Sequence, residues 1–323
     1  MGRREARLAR AACLAVELIT QIVAISCRQS DDVPLVNSSA HTQENTQELF
    51  AESDIQYLLF TKVNPVLPSV LRNGDASSLG HFDAAFPTVM VIHGFQSNQR
   101  TVMPIAEAYL GLQENMNVIV VNWTALATTS LLRAIEGSEA VAATTTRLIH
   151  FLATRGLDPR RLTLVGFSIG AHIAGLTAYR VNSVSVGKIV GLDPAGVFYY
   201  SKSKMKKLDR SDATFVQVVH TTANTIGYNG DLGHADFYFN GGTEPQPGCK
   251  LFTPCSHLRA TEYYAESVKD KIPFIATQCS DIKKYQSGDC LFNHRTIFGP
   301  QTPASIRGKY FLSTNEIPPY AQG

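Results

Sequence analysis

The chain lacks a dominant charge. Its 29 lysines and arginines nearly balance 27 aspartates and glutamates, and only 17% of its 323 residues are charged. A net charge of +2 gives no concentrated basic surface, so nucleic acid is not an expected partner. The sequence also lacks a Cys-x-x-Cys repeat and a His-Glu-x-x-His pair, so neither zinc signature is present and no metal or organic cofactor is implied. Internal repeats, linkers and a second composition regime are missing too, which favours one large domain.

A targeting segment is present. MGRREARLAR carries four arginines and is followed by the apolar run AACLAVELITQIVAIS. Ala24-Ile25-Ser26 offers small residues for cleavage before Cys27, so residues 1–26 read as a signal peptide. The run is short for a membrane anchor and contains Glu17. Residues 27–50 are polar and read as a loose leader, leaving 51–323 as the folded domain. Beyond Cys13 and Cys27, the cysteines are Cys249, Cys255, Cys279 and Cys290. They form two close pairs, as local disulfides in an oxidising, extracellular compartment would. Glycosylation sequons start at Asn37 and Asn122, the latter at the end of an apolar strand where burial would oppose modification.

Short apolar runs at 55–61, 88–94, 117–123, 162–168, 188–193 and 214–221 alternate with helical patterns at 103–114, 134–155, 169–181 and 258–268. The second helix is expected to end on Gly156 as its cap. Fully apolar strands alternating with amphipathic helices predict an α/β fold: a mainly parallel central sheet with helices on both faces.

In such a sheet, reactive groups sit at strand ends. VGFSIGAHIAG puts Ser168 between a strand and a helix, with Gly166 and Gly170 two residues either side. A serine on that sharp turn is an exposed nucleophile, and the helix N-terminus lies beside its developing oxyanion. A serine needs a base, and the base needs an orienting carboxylate. Asp193 ends the next strand, KIVGLD, ahead of a Pro-Ala-Gly turn; Asp209, Asp212, Asp231 and Asp236 lie in turn-like contexts. Four histidines follow: His220, His234, His257 and His294. His257 begins a helix beside a cysteine, which would hold an imidazole rigidly, but spacing leaves the other three open. His93-Gly94-Phe95 ends an early strand, the position from which hydrolases of this class contribute a backbone N–H to the oxyanion, and Ile169, after the serine, would contribute the second.

With these pieces placed, the chain resembles the pancreatic-lipase family of animal secreted lipases, in its short-lid phospholipase A1 and insect-lipase form. The matching stretches are VMVIHGFQSN, NVIVVNW, LTLVGFSIGAHIAG, IVGLDPAG, RSDATFVQVVHT, GHADFYFNGG, CSHLRATEYYAESV and GKYFLSTNE, in the family's order across residues 50–323. The resemblance implies the α/β-hydrolase fold, Ser168 as nucleophile, Asp193 as acid, His257 as base, and Phe95 and Ile169 as oxyanion donors. It further implies a lipid substrate at a membrane or micelle surface. Two departures bear on function. No second domain of the kind that binds colipase is seen after the hydrolase region. The lid between Cys249 and Cys255 is reduced to KLFTP, too short to cover a cleft. The shortened lid favours phospholipase A1 activity, with neutral triacylglycerol or diacylglycerol hydrolysis as the alternative. A non-catalytic, yolk-protein-like lipid binder is the rival from another class. The basic run SKSKMKKLDR (201–210) reads as a solvated loop, or alternatively as a contact for anionic headgroups.

Overall fold

A strand with apolar side chains at most positions on both faces must be covered on both. Strands β3 (Thr88–Ile92), β4 (Asn117–Asn122), β5 (Leu162–Phe167), β6 (Lys188–Leu192) and β7 (Phe215–His220) meet that condition, being buried at almost every residue. The computed structural model describes residues 52–182, 186–203, 206–223, 225–269 and 271–323. The expected signal peptide (1–26), leader (27–50) and Asn37 sequon lie outside the described residues.

The remaining strands are β1 (Gln56–Phe60), β2 (Ser69–Leu71), β8 (Ala235–Phe239), β9 (Phe274–Gln278), β10 (Arg295–Phe298) and β11 (Gly308–Leu312). All join one sheet of order β10-β9-β11-β8-β7-β6-β5-β3-β4-β1-β2. From β11 to β4 every neighbour is parallel, whereas β1, β2, β9 and β10 add antiparallel flanks. The longer helices are α1 (Gln99–Leu110), α3 (Leu131–Ala153), α4 (Ile169–Asn182) and α5 (Cys255–Lys269); α2 (Thr124–Ala127) and α6 (Ile282–Ser287) are short.

Strand alternation sorts the core into two layers. Met90, Ile92, Ile119, Val121, Leu162 and Leu164 face α3 and α4 on one side. Val89, Val91, Val118, Val120, Val165 and Phe167 face α1 and α5 on the other. This is the mainly parallel sheet covered on both faces that the alternation predicts, and the α/β-hydrolase architecture that the resemblance implies. Most helix ends shift by one to four residues, and two of the shifts have a visible cause. Asn98 accepts from Arg100 N–H and caps α1 at Gln99, four residues before the expected start. Helix α3 ends at Ala153 rather than 155; Gly156, at φ 98°, turns the chain just beyond its Thr154 cap.

The order of connections creates the site. From β3 the chain moves through α1 to β4 on one side, then returns through α3 to β5 on the other side of β3. The segments leaving β3 and β5 therefore diverge to opposite faces and open a crevice at their C-terminal ends. His93-Gly94-Phe95 and Ser168 stand at that crevice.

Candidate active site

Ser168 occupies the one-residue gap between β5 and α4 at φ 57°, a left-handed conformation that costs a side chain energy. Its neighbours make the turn possible. A Cβ on Gly166 would lie 2.1 Å from the Gly170 carbonyl oxygen, and one on Gly170 would lie 2.4 Å from that of Ile92. Strand, helix and the end of β3 can approach so closely only because both positions are glycine. Ser168 N–H donates to Leu192 O at 3.0 Å, which ties the turn to the residue before Asp193.

Asp193 follows β6 at φ 43° and is fully buried. Its Oδ1 accepts from Thr221 N–H at 2.8 Å and Thr222 N–H at 3.1 Å; its Oδ2 accepts from Thr222 Oγ1–H at 2.5 Å and His257 Nδ1–H at 2.6 Å. Burial alone would push this carboxyl up, but the bonds from His257 and the two threonines outweigh it and hold the group below its ordinary range. The carboxylate is ionised and fixed, as an orienting acid must be.

His257 sits in the first turn of α5, which begins at Cys255. Cys255 is bonded to Cys249, so the helix start is braced as expected; Cys279 and Cys290 form the second disulfide. The imidazole packs on Phe167, the residue before Ser168, with ring centroids 4.5 Å apart. Ser168 and His257 are not hydrogen-bonded to each other in this arrangement; such bonds often tighten only once substrate is bound.

The expected oxyanion donors flank the serine. Ile169 opens α4, where the first N–H groups of a helix have no intrahelical acceptor. Gly94, joined by its peptide to Phe95, is so close that an added Cβ would lie 2.8 Å from Ser168 Cβ. His93 is fully buried and its ring stacks on Trp123. Burial pushes its imidazole down to about 4, so it is neutral at physiological pH.

The competing residues are engaged elsewhere. His220 Nε2–H donates to Asp236 Oδ1 at 2.9 Å, and the same carboxylate takes the Leu232 and Gly233 N–H groups. His234 Nδ1 accepts from Val216 N–H at 3.0 Å, and His294 lies beside Tyr310. Asp209 and Asp212 form a capping box, and Asp231 takes the Tyr238 hydroxyl and Lys309. Sequence reasoning missed Thr221 and Thr222, whose only signal is a pair of small donors after β7. It also missed His172 on α4: Nε2 meets Ala195 O at 2.8 Å and Nδ1 accepts from Leu208 N–H at 3.1 Å, joining the helix after Ser168 to the loop after Asp193.

Half-buried Asn122 is folded into an Asx turn, its Oδ1 accepting from Thr124 Oγ1–H at 2.5 Å while Nδ2 donates to Gln56. In the basic run, Lys206 pairs with Glu139 at 3.4 Å and Lys207 donates to the Tyr228 hydroxyl at 2.8 Å; Lys204 lies outside the described residues. Among the described residues no His, Cys, Asp and Glu cluster has the grouping of a metal site. Two surface clefts, one along β9 and β10 and one between α1, α5 and Pro318–Tyr320, contain none of the expected site residues.

Residues 20–320 match the protein family described as Lipase. Lipase member H-A of Xenopus laevis is 35% identical over 247 residues, which is 73% of this chain and 53% of that protein. Phospholipase A1 member A of Bos taurus is 29% identical over 289 residues, 82% of this chain and 63% of that protein. Its Mus musculus counterpart is 29% identical over 321 residues, 92% of this chain and 70% of that protein. The chain thus spans about half to two thirds of the length of these curated relatives. A match over nearly the whole chain, on an α/β-hydrolase sheet with a strained serine at its switch point, makes this chain a member of the Lipase family.

Proposed function

We propose that this chain is a secreted serine hydrolase of lipid esters, acting on the sn-1 acyl ester of phospholipids. The observation that carries the reading is the 2.6 Å bond between Asp193 and His257, beside a serine held at φ 57°. His257 takes the proton from Ser168 Oγ as the hydroxyl attacks the ester carbonyl, and Asp193 stabilises the imidazolium that forms. Phe95 and Ile169 N–H groups hold the oxyanion. The protonated His257 passes its proton to the leaving alcohol. Water, deprotonated by the same imidazole, then releases the fatty acid from Ser168.

The phospholipid preference is supported by the short loop between Cys249 and Cys255 and by relatives named Phospholipase A1 member A. Leu251 and Phe252 in that loop, with Val197, Phe198 and Ile226, leave an exposed apolar rim around the strand ends, suited to aggregated lipid. Relatives named Lipase member H keep neutral glycerides as the second reading. Intact Ser, Asp and His groups oppose a purely lipid-binding role. Two disulfides support an extracellular setting.

The test is Ser168→Ala assayed on phosphatidylcholine, phosphatidylserine, triolein and monoolein. Hydrolysis is expected to vanish while the fold and secretion persist. Retained hydrolysis would sink the mechanism, and strong wild-type turnover of triolein with inert phospholipids would overturn the substrate assignment.

A further inference from the structure

Nothing in the reaction above uses the buried His93 side chain, yet its contacts converge on one peptide. Trp123 N–H points at His93 Nε2 from 3.2 Å, and an N–H can only donate. Nε2 therefore carries the lone pair and Nδ1 carries the proton. That proton is given to the Gly94 carbonyl, 3.0 Å away. Trp123 closes the clamp from the other side, its indole N–H donating to His93 O at 2.8 Å.

The Gly94 carbonyl and the Phe95 N–H belong to one planar trans peptide and point in opposite directions. Whatever holds the carbonyl thus sets the aim of the N–H. Beyond it, Gln96 N–H is bound to Ala127 O at 2.9 Å, so the loop is tied again one residue later. We infer that His93 is a positioning residue: by donating from Nδ1 to the Gly94 carbonyl it fixes the Gly94–Phe95 peptide plane and points the Phe95 N–H at the oxyanion. This rests on the reading of Ser168 as nucleophile. Position 93 requires a donor at the place of Nδ1. Asparagine can supply one from Nδ2, and alanine cannot.

The experiment compares His93→Ala and His93→Asn on a soluble carboxylic ester and its thionoester. The thiocarbonyl sulfur is a poor acceptor and draws little from oxyanion donors, so the oxoester-to-thionoester rate ratio reports on those donors. General damage lowers both rates alike. Loss of one oxyanion donor costs about 100-fold in kcat. His93→Ala is therefore expected to lose about that factor on the oxoester with KM little changed, and its rate ratio should fall. His93→Asn should recover most of the rate and the ratio. Trp123 is the only tryptophan, so its emission reports directly on the packing around position 93. The inference is overturned if the alanine variant keeps kcat within about threefold, or if both esters lose rate equally. Should the alanine variant fail to fold by its emission, the asparagine variant decides: a rate and ratio both near wild type support the inference, and a collapsed rate with unchanged ratio overturns it. Persistent hydrolysis by Ser168→Ala would instead remove the nucleophile assignment, a result separable from either outcome at His93.

Discussion

His172→Gln should change the pH dependence of stability by an amount the structure allows one to work out. The imidazole is fully buried, stacked on Tyr199 with ring centroids 3.7 Å apart, and burial pushes it from 6.5 down to about 4. An unfolded chain takes up the proton near 6.5, whereas the folded one resists until about 4. Stability from this residue is therefore complete above 6.5 and is lost as pH falls toward 4. Between pH 7.5 and 5 the loss is about 2 kcal/mol. The total curve of the wild type is a poor gauge, because Asp212 works in the opposite direction. Burial raises Asp212 to about 8, so its contribution is present below 3.8 and is lost as pH rises through 8. Subtracting the variant from the wild type removes Asp212 and His93 alike. Urea unfolding at both pH values is the assay. Glutamine cannot titrate and gives up the ring stack, so the variant should be less stable at pH 7.5, and the gap should narrow by about 2 kcal/mol at pH 5. A gap that stays constant to within about 0.5 kcal/mol would refute the account of His172 as a buried neutral imidazole.

Thr222→Val removes the hydroxyl that donates to Asp193 Oδ2 while leaving both backbone donors on Oδ1. Hydrogen bonds to charged groups contribute about 1.5–3 kcal/mol, so kcat should fall about tenfold or more with KM unchanged; steady-state kinetics equal to wild type would dismiss Thr222 as a support of the acid. Asp212→Asn keeps an acceptor for Asp209 N–H but cannot ionise. Thermal melts should show the variant gaining on the wild type between pH 5 and pH 9, by an amount on the order of a few kcal/mol, because the loss at Asp212 builds up from 3.8 to about 8. The reverse order would mean that Asp212 is not held protonated by burial.

What could be read from the sequence was whatever burial on two faces writes into it. The parallel strands β3 to β7 are apolar at nearly every residue, so their runs stand out, and the helices between them follow from the 3.6-residue period. The flanks left weaker marks. β10 has four residues alternating exposed and buried, and β2 has three, patterns short enough to pass for loop. The start of α1 was missed because a single Asn98 side chain fixes it. Ser168, Asp193 and His257 could be singled out because each follows a strand or opens a helix. The hydroxyl and amides around Asp193 could not. Thr221 and Thr222 act through contacts across 28 and 29 residues of chain, and nothing local announces such a partner.

Backbone strain is the least legible feature and the most concentrated. Among the described residues, the non-glycine positions with positive φ are Gln96, Ser168, Asp193, Phe198, Asn240 and Phe252. Every one lies in a segment leaving the C-terminal end of β3, β5, β6 or β8, and none is at the opposite edge of the sheet. Such conformations cost about 1–3 kcal/mol each and persist only where the surroundings over-determine them. For Ser168 and Asp193 the surroundings are identifiable: two glycines and the Leu192 carbonyl for one, four hydrogen bonds for the other. Phe198 and Phe252 share the left-handed conformation but differ in cover, the first 36% exposed and the second 71%. The two phenylalanines stand on the segments that follow Asp193 and precede His257. Under the proposed reading of Ser168 as nucleophile and Asp193 as its acid, the strain at these two positions is what holds the reacting groups in place.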